Sequence, residues 1–425
     1  MAISDIEGLL KEQYSDALPE TFTMGNKLTD RLLRAEKIQA NTRAVVFNLE
    51  VSPGGDFKGM DYDDGAYPKG NQMTTKKPTV SSVGVVMGFN VTQLVNFATK
   101  NNKLAVAPVL EKQVAKSMGT FKLWLECLLN ASSNDGVLDQ LITNSSGAIY
   151  NLNPIGTTTY PFGGYLLIPG GRYDVYDPTL VTKRADGPYQ IAADGGLDNK
   201  PGDTTPQVTL NAAVSGYVAG DVLVAQDLVS ASINPLRYHV SEAISGTWQS
   251  INRNKIYAQA QAVDGASATL DATQIRELMH AILKFSGDDD STDGLIPYMA
   301  YEQYRNYQNA AQDISQIILG GLGGAAVNKN FDLMIGEGKI EGRSILIGNH
   351  CDPTVAYWLN PSKFRWVETK ALGFEKNESG GYFFRPYDIT LGTPLASKSW
   401  YLSYMCNLAA IDITRMGIIH TLALP

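Results

Sequence analysis

The chain has 425 residues, 44% apolar and 18% charged, with a net charge of −8. That length predicts two or more packed regions, and a charge fraction below the ~25% typical of soluble domains suits a protein that hides surface against neighbours. Basic residues form no run of five, which excludes a dedicated nucleic-acid-binding tail, and three widely spaced cysteines, Cys127, Cys351 and Cys406, exclude an intrachain disulfide framework or an all-cysteine zinc site.

Residues 1 to about 44 read as a polar, partly helical arm in which Leu28, Leu32, Leu33 and Ile38 form one short amphipathic face between Arg31, Arg34 and Lys37. A strand-like run, Ala44 to Leu49, is followed by a turn-rich stretch from Val51 to Pro78 and a second strand from Thr79 to Phe89. Two strands around so long a loop with few apolar anchors predict an extended hairpin reaching onto a neighbouring molecule.

The strongest helical pattern is Val106, Leu110, Val114, Met118, Phe121, Leu125, Leu128 and Leu129, with Pro108 tolerated in the first turn. A helix from Val106 to Ala131 would be about 40 Å long, a rigid spine. From Gly147 to about Ile244 short β-rich runs are expected at Gly164 to Ile168, Tyr173 to Tyr176, Val208 to Leu210 and Asp221 to Ala225, with Ala192 to Pro206 as a surface loop.

Residues 270 to 425 read as mixed α/β. Asp271 or Thr273 caps a helix carrying Ile275, Leu278, Met279 and Ile282. Beyond the acidic loop 287–294 come a strand, Leu295 to Met299, a helix, Tyr301 to Leu319, and a flexible glycine-rich loop. Strands are expected at Ser344 to Ile347, Tyr382 to Phe384 and Ser399 to Tyr404, and the chain closes on the apolar run Gly417 to Leu424.

Motifs for chemistry fail at their defining residues. His239, His280, His350 and His420 have no zinc-protease spacing, and the pair His350-Cys351 lacks further nearby ligands. The loop from Asp288 has Met299 where a calcium loop needs Glu, and Gly320-Gly321-Leu322-Gly323-Gly324 lacks the Lys-Ser/Thr of a phosphate cradle. Tyr298, Tyr301, Tyr304 and Tyr307 lie three apart but have only Arg305 as a basic neighbour, so packing outweighs nucleic-acid stacking. Ile340-Glu341-Gly342-Arg343 matches a protease recognition tetrapeptide, and reads better as a turn joining two strands. No cofactor and no metal is expected. The opening residues show no secretory leader and no apolar run nears ~20 residues, so a soluble protein made in a reducing cytoplasm is expected.

The order of arm, long hairpin, long helix, β-rich region and α/β region resembles the Hong Kong 97 phage capsid fold of tailed-phage major capsid proteins and encapsulins. Val51-Ser52-Pro53-Gly54-Gly55-Asp56-Phe57 with the Asp/Gly-rich stretch to Gly70, and Pro361-Ser362-Lys363-Phe364-Arg365-Trp366-Val367, carry the resemblance. It implies an α+β fold with an N-terminal arm (1–44), an extended loop hairpin (45–90), a peripheral domain with a spine helix and β-sheet (91–265), an axial α/β domain (266–400) and a C-terminal returning strand (401–425). It also implies that Leu28, Leu32, Gly54, Gly55, Phe57, Tyr62 and Tyr67 make inter-subunit contacts. Gly320, Gly321, Gly323 and Gly324 would lie at the capsomer axis.

The function so implied is a non-enzymatic shell protein, assembled in a bacterial cytoplasm into hexamers and pentamers of an icosahedral virion head. Its partners would be further copies of itself, a separate scaffolding protein, a portal, a decoration protein, and double-stranded DNA held by non-specific contact. Removing residues 1 to 40, or trimming Gly54 to Gly70, is expected to impair assembly while leaving the subunit folded. The alternatives are an encapsulin-type compartment, against which the length of the β-rich segment tells, and a hydrolase or carbohydrate-active enzyme, which no nucleophile or metal motif supports.

Overall fold

The computed structural model describes residues 27–32, 36–40, 44–52, 54–59, 67, 69–92, 109–157, 160–199, 204–229, 232–286, 294–310, 339–340, 343–378, 380–382, 384–385 and 397–424. Three sheets and two main helices organise them.

The long helix runs from Val109 to Leu129. Its buried positions Phe121, Leu125, Leu128 and Leu129 follow the three-and-four spacing of one helical face. Cys127 and Ala131 extend the buried surface, so the end of the helix is embedded on more than one side.

A four-stranded sheet joins distant parts of the chain, in the order Lys37–Gln39, Phe364–Phe374, Ser397–Ala410, Val83–Thr92. The first pair is parallel and the other two are antiparallel. Val85, Met87 and Phe89 face the core while Val86 is exposed, the period-two alternation of a half-buried strand. Opposite Tyr401 stands Gly88, where a Cβ would come within 3.0 Å of the tyrosine ring. The ring therefore covers bare backbone on the edge strand of the sheet. The long strand Ser397–Ala410 runs across the expected division at residue 400, and its sheet also takes strands from the expected arm and hairpin.

The β-rich region is a seven-stranded sheet ordered Tyr189–Gln190, Arg172–Tyr176, Val222–Ala225, Val137–Ser146, Ile149–Leu152, Gln207–Thr209, Leu197–Asp198. It begins earlier than expected, with Val137–Ser146 directly after the long helix. Leu197–Asp198 lies inside the stretch read as loop. The strand expected at Gly164 to Ile168 is a succession of turns, in which Tyr165 donates to the Phe162 carbonyl at 3.1 Å and Leu167 to that of Gly164 at 3.0 Å. Leu166, Leu167 and Ile168 are apolar because all three are buried, and a short apolar run does not by itself distinguish a strand from a packed turn.

The last region is a mixed five-stranded sheet, ordered Gln261–Asp264, Gly417–His420, Ala356–Leu359, Ile296–Met299, Leu346–Ile347. The helix Ala272–Ser286 packs Ile275, Leu278, Met279 and Ile282 against it, together with Trp358 and Ile419. This helix starts as expected. Asp271 accepts the Gln274 N–H at 2.9 Å, and the Gln274 side chain accepts the Asp271 N–H at 3.2 Å, a reciprocal cap. Residues 301–310 form a further helix. Of the strand expected at Tyr382 to Phe384, the described residues show one bridge, between Phe384 and Ser399, and Phe383 lies outside them.

Candidate functional site

The described part of the N-terminal segment is bound into its own subunit. The short helix Lys27–Leu32 lies against the long helix, and Leu28 and Leu32 are each 1% exposed in the main core. The Glu126 carboxylate accepts the N–H of Thr29 at 2.6 Å, its hydroxyl at 2.6 Å and the N–H of Leu28 at 3.2 Å. These are backbone donors that the first turn of a helix leaves without an intrahelical partner. Burial raises the Glu126 pKa to about 6, against the lowering effect of those hydrogen bonds. At the other end the Trp366 indole N–H donates to the Leu32 carbonyl at 2.9 Å. Lys37–Gln39 then pairs with Trp366–Glu368, and Lys37 meets the buried Glu368 carboxylate at 2.9 Å.

Two expectations change here. Leu28 and Leu32 were expected to touch a neighbouring molecule, but their side chains have no surface left to offer one. Removing residues 1 to 40 would also strip two core leucines and an edge strand from the subunit, so that deletion does not leave it intact. Of the expected amphipathic face, Leu28 and Leu32 meet the subunit's own long helix, Ile38 lies in the strand Lys37–Gln39, and Leu33 lies outside the described residues.

The hairpin is different. Two short ribbons build it, Ala44–Val46 with Thr79–Ser81 and Leu49–Ser52 with Thr74–Lys76. Its root is fixed, since Val80 is 2% exposed and packs with Ala40, Val367 and Ala409. Beyond the ribbons Gly54 and Gly55 have φ of +72° and +86°, and the Gly55 N–H donates to the Asn71 carbonyl at 2.9 Å. A Cβ on Gly54 would lie 2.6 Å from the Met73 nitrogen, so both the backbone conformation and the close approach require glycine there. Further out, Phe57 is 98% and Tyr67 84% exposed. Tyr62, Gly320, Gly321, Gly323 and Gly324 lie outside the described residues, as do residues 287–293 of the acidic loop.

The three cysteines, His239, Tyr298 and Tyr304 are absorbed into packing. All three cysteines are free and buried, and burial pushes each thiol pKa up, away from the reactive thiolate. Among the described residues no group of three His, Cys, Asp or Glu side chains converges as a metal site, and no helix is long and apolar enough to cross a membrane. His239 is fully buried; the Trp248 indole donates to its Nδ1 at 3.2 Å, which leaves Nε2 to donate to the Leu408 carbonyl at 3.2 Å. Burial, aided by the Arg253 charge, pushes its pKa down to about 3. Tyr298 is in a strand, fully buried, and donates to Asn130 at 2.8 Å. Tyr304 is buried too, whereas Tyr301 is 58% exposed. Ile340 and Arg343 pair across a short hairpin, as expected of a turn between strands.

Reading the sequence missed Glu126 and Trp366 as the residues that hold the N-terminal segment. The signal was present for the first: one carboxylate in the run Leu125-Glu126-Cys127-Leu128-Leu129 must find donors if it is buried.

No family model and no curated protein matches the sequence. Solved structures do. The chain aligns with a subunit of the cyanophage A-1(L) capsid asymmetric unit over 99% of both chains, with a TM-score of 0.54 and 14% identity. It aligns with the capsid of a native GTA particle over 98% of this chain and 97% of that one, with a TM-score of 0.50 and 7% identity.

The chain has the fold of a phage capsid subunit.

The correspondence runs nearly end to end, so the hairpin and the three sheets all fall within it. The encapsulin of the holo-SrpI complex from Synechococcus elongatus is also matched, over 100% of this chain and 94% of that one, at a TM-score of 0.44 and 8% identity, too loose to weigh. At such identities the likeness is one of backbone, and the contacts described above are this chain's own.

Proposed function

We propose that many copies of this chain assemble into the closed shell of a phage head, as hexamers and pentamers of an icosahedral lattice around double-stranded DNA. The observation that carries this reading is the hairpin, which presents Phe57 and Tyr67 almost fully exposed on a subunit with the fold of a capsid protein. Aromatic side chains of this size gain from burial, and no described residue of their own chain covers them. A neighbouring copy supplies that cover. Gly54 and Gly55 set the geometry from which the hairpin reaches out.

In this reading the subunit is a structural protein whose parts divide the labour. The core-anchored N-terminal segment and the sheets give a rigid body, and the hairpin laces that body to the next. Many modest interfaces acting together hold the shell. A net charge of −8 over the chain is compatible with a wall that does not adhere to packaged DNA. A separate scaffolding protein, a portal and a decoration protein complete the set of partners, and the head assembles in the host cytoplasm.

Electron microscopy of the purified protein, alone and coexpressed with its neighbouring genes, tests the proposal. Closed shells tens of nanometres across that hold DNA are the expected result. Shells that hold a protein cargo would point to an encapsulin-type compartment, and a small fixed oligomer under every condition would overturn the shell reading.

A further inference from the structure

A cleft of about 550 Å³ opens beside the root of the hairpin. Thr79 and Ser81 of the hairpin strand and the following Ser82 line it, together with Ser232, Gln249 and Asn407. The thirteen lining residues include no Lys, Arg, His, Asp or Glu. A phosphate, a nucleic-acid backbone or a metal ion would find no countercharge here, so the cleft suits a neutral ligand rich in hydrogen-bonding groups.

Most of the polar groups in its walls are already engaged. Asn407 donates to the Ser81 carbonyl at 2.7 Å and accepts the Asn234 N–H at 2.8 Å, and the Ser82 hydroxyl meets that of Thr369 at 2.7 Å. Two are not. Gln249 is 2% exposed and neither its amide oxygen nor its amide nitrogen has a hydrogen-bond partner among the described residues; the same holds for the hydroxyl of Ser232, 5% exposed. Buried polar groups are paired as a rule, so two orphans among the residues lining one cleft point to a site completed from outside the chain.

The backbone of Gln249 is also held in a costly form. Gln249 and Ser250, the two central residues of the hairpin that joins Thr247–Trp248 to Ile251–Asn252, have φ of +46° and +69°. Such a turn favours Asn-Gly, and neither residue here is of that kind. Two contacts hold it: the Gln249 N–H donates to the Tyr238 hydroxyl at 2.7 Å, and its carbonyl accepts the Thr79 N–H at 2.9 Å. The side-chain amide has no such bond to lose when it swings into the cleft.

We infer that this cleft receives an extended segment of a second copy of the chain, whose peptide groups pair with the Gln249 amide and the Ser232 hydroxyl. An amide presents one donating and one accepting edge, which is what a peptide group needs in return. The volume lies within the range of ordinary ligand sites and holds a short stretch of chain. The second copy as source rests on the proposed shell. In such a shell the body around each hairpin root faces another subunit, and a neutral cleft accepts backbone from an identical chain without like-charge repulsion. The hairpin would then be clasped at its root as well as offering contacts at its tip.

The test uses assembled particles of the full chain. Thr247 is exposed and lines the cleft, and the native cysteines are all buried, so Thr247→Cys gives the thiol that benzophenone maleimide labels. Irradiation is expected to give an inter-chain adduct on one extended segment of a second copy. Gln249→Met, close in length and without polar atoms, is expected to reduce that adduct about tenfold and to lower the denaturant concentration at which particles dissociate. The same substitution should leave the unfolding midpoint of the unassembled subunit unchanged or higher, because it removes no bond made within the chain. Labelled Thr247→Cys shells that give no inter-chain adduct, or Gln249→Met shells as robust as wild type, would overturn the inference while leaving the shell reading intact. An adduct only to a different protein or to nucleic acid would also overturn it. Absence of particles from wild-type protein would remove the shell reading and this inference together.

Discussion

The carboxylate of Glu126, in the last turns of the long helix, accepts both the backbone N–H and the hydroxyl of Thr29 at 2.6 Å, across 97 residues of sequence. This contact ties the N-terminal segment to the core. The stability that Glu126 contributes varies with pH because burial raises its pKa from 4.5 to about 6. The folded state therefore holds the proton more tightly than the unfolded chain. The contribution of this group is full below pH 4.5 and is lost as pH rises through about 6, a change of about 2 kcal/mol. Glu126→Gln should flatten this part of the stability–pH curve. Glu126→Leu, which leaves the Thr29 donors buried without an acceptor, should cost about 1–3 kcal/mol and speed hydrogen exchange at Leu28 and Thr29.

His239 acts in the opposite direction. Its folded pKa of about 3 lies below the ordinary 6.5, so the unfolded chain takes up a proton that the folded one refuses. Its stability contribution is full above pH 6.5 and is lost on acidification, at about 1.4 kcal/mol per unit down to pH 3. Denaturant titrations of wild type and His239→Gln between pH 7 and 4 check this, the variant being expected to show the shallower acid loss.

Trp366→Phe removes the indole N–H that reaches the Leu32 carbonyl and keeps most of the ring. A loss of about 1 kcal/mol is expected, read as a lower denaturant midpoint. Trp366→Ala empties a fully buried site and should cost about 3–5 kcal/mol.

Gly54→Ala should disturb the hairpin beyond its ribbons and little else. The positive φ alone costs a non-glycine residue about 1–2 kcal/mol, and the added Cβ meets the Met73 nitrogen. Faster exchange of the Gly55 amide, with unchanged global unfolding, is the expected signature.

Replacing Phe57 and Tyr67 together by Ser should leave subunit stability within about 0.5 kcal/mol of wild type, because both side chains are solvated in the isolated chain. Assembly should suffer instead. Sedimentation of wild type and variant under assembly conditions reads the difference, and equal yields of large particles would remove these two residues from the proposed contacts.

Much of the architecture was legible along the chain because it rests on local pattern. The three-and-four spacing of Phe121, Leu125 and Leu128 gave the long helix, and Asp271 with Gln274 marked the start of the second one. The hairpin announced itself by strands around a glycine-rich stretch with few apolar anchors. Patterns without period were misread: Leu166-Leu167-Ile168 is a packed turn, and Val137–Ser146 and Phe364–Phe374 were not recognised as long strands. In Trp366–Glu368, the run of buried residues within Phe364–Phe374, both faces are covered, Trp366 lying in the main core and Val367 in the cluster at the hairpin root, so the usual alternation is lost there.

By itself, then, the sequence determined the kind of elements and their order, because helix periodicity, capping and turn residues act over a few positions. It also determined that Gly54 and Gly55 turn the chain while Phe57 stands without apolar neighbours in sequence. Only the tertiary structure decided what those elements meet. Leu28 and Leu32 face their own long helix because Glu126 and Trp366, about 100 and 330 residues away in sequence, take up the unpaired backbone groups at the two ends of their short helix. The side chains of Gln249 and Ser232 are left without partners among the described residues by the same long-range packing, which no local pattern encodes. Burial and hydrogen-bond pairing belong to the whole fold, and there the subunit settles which surface it keeps and which it offers.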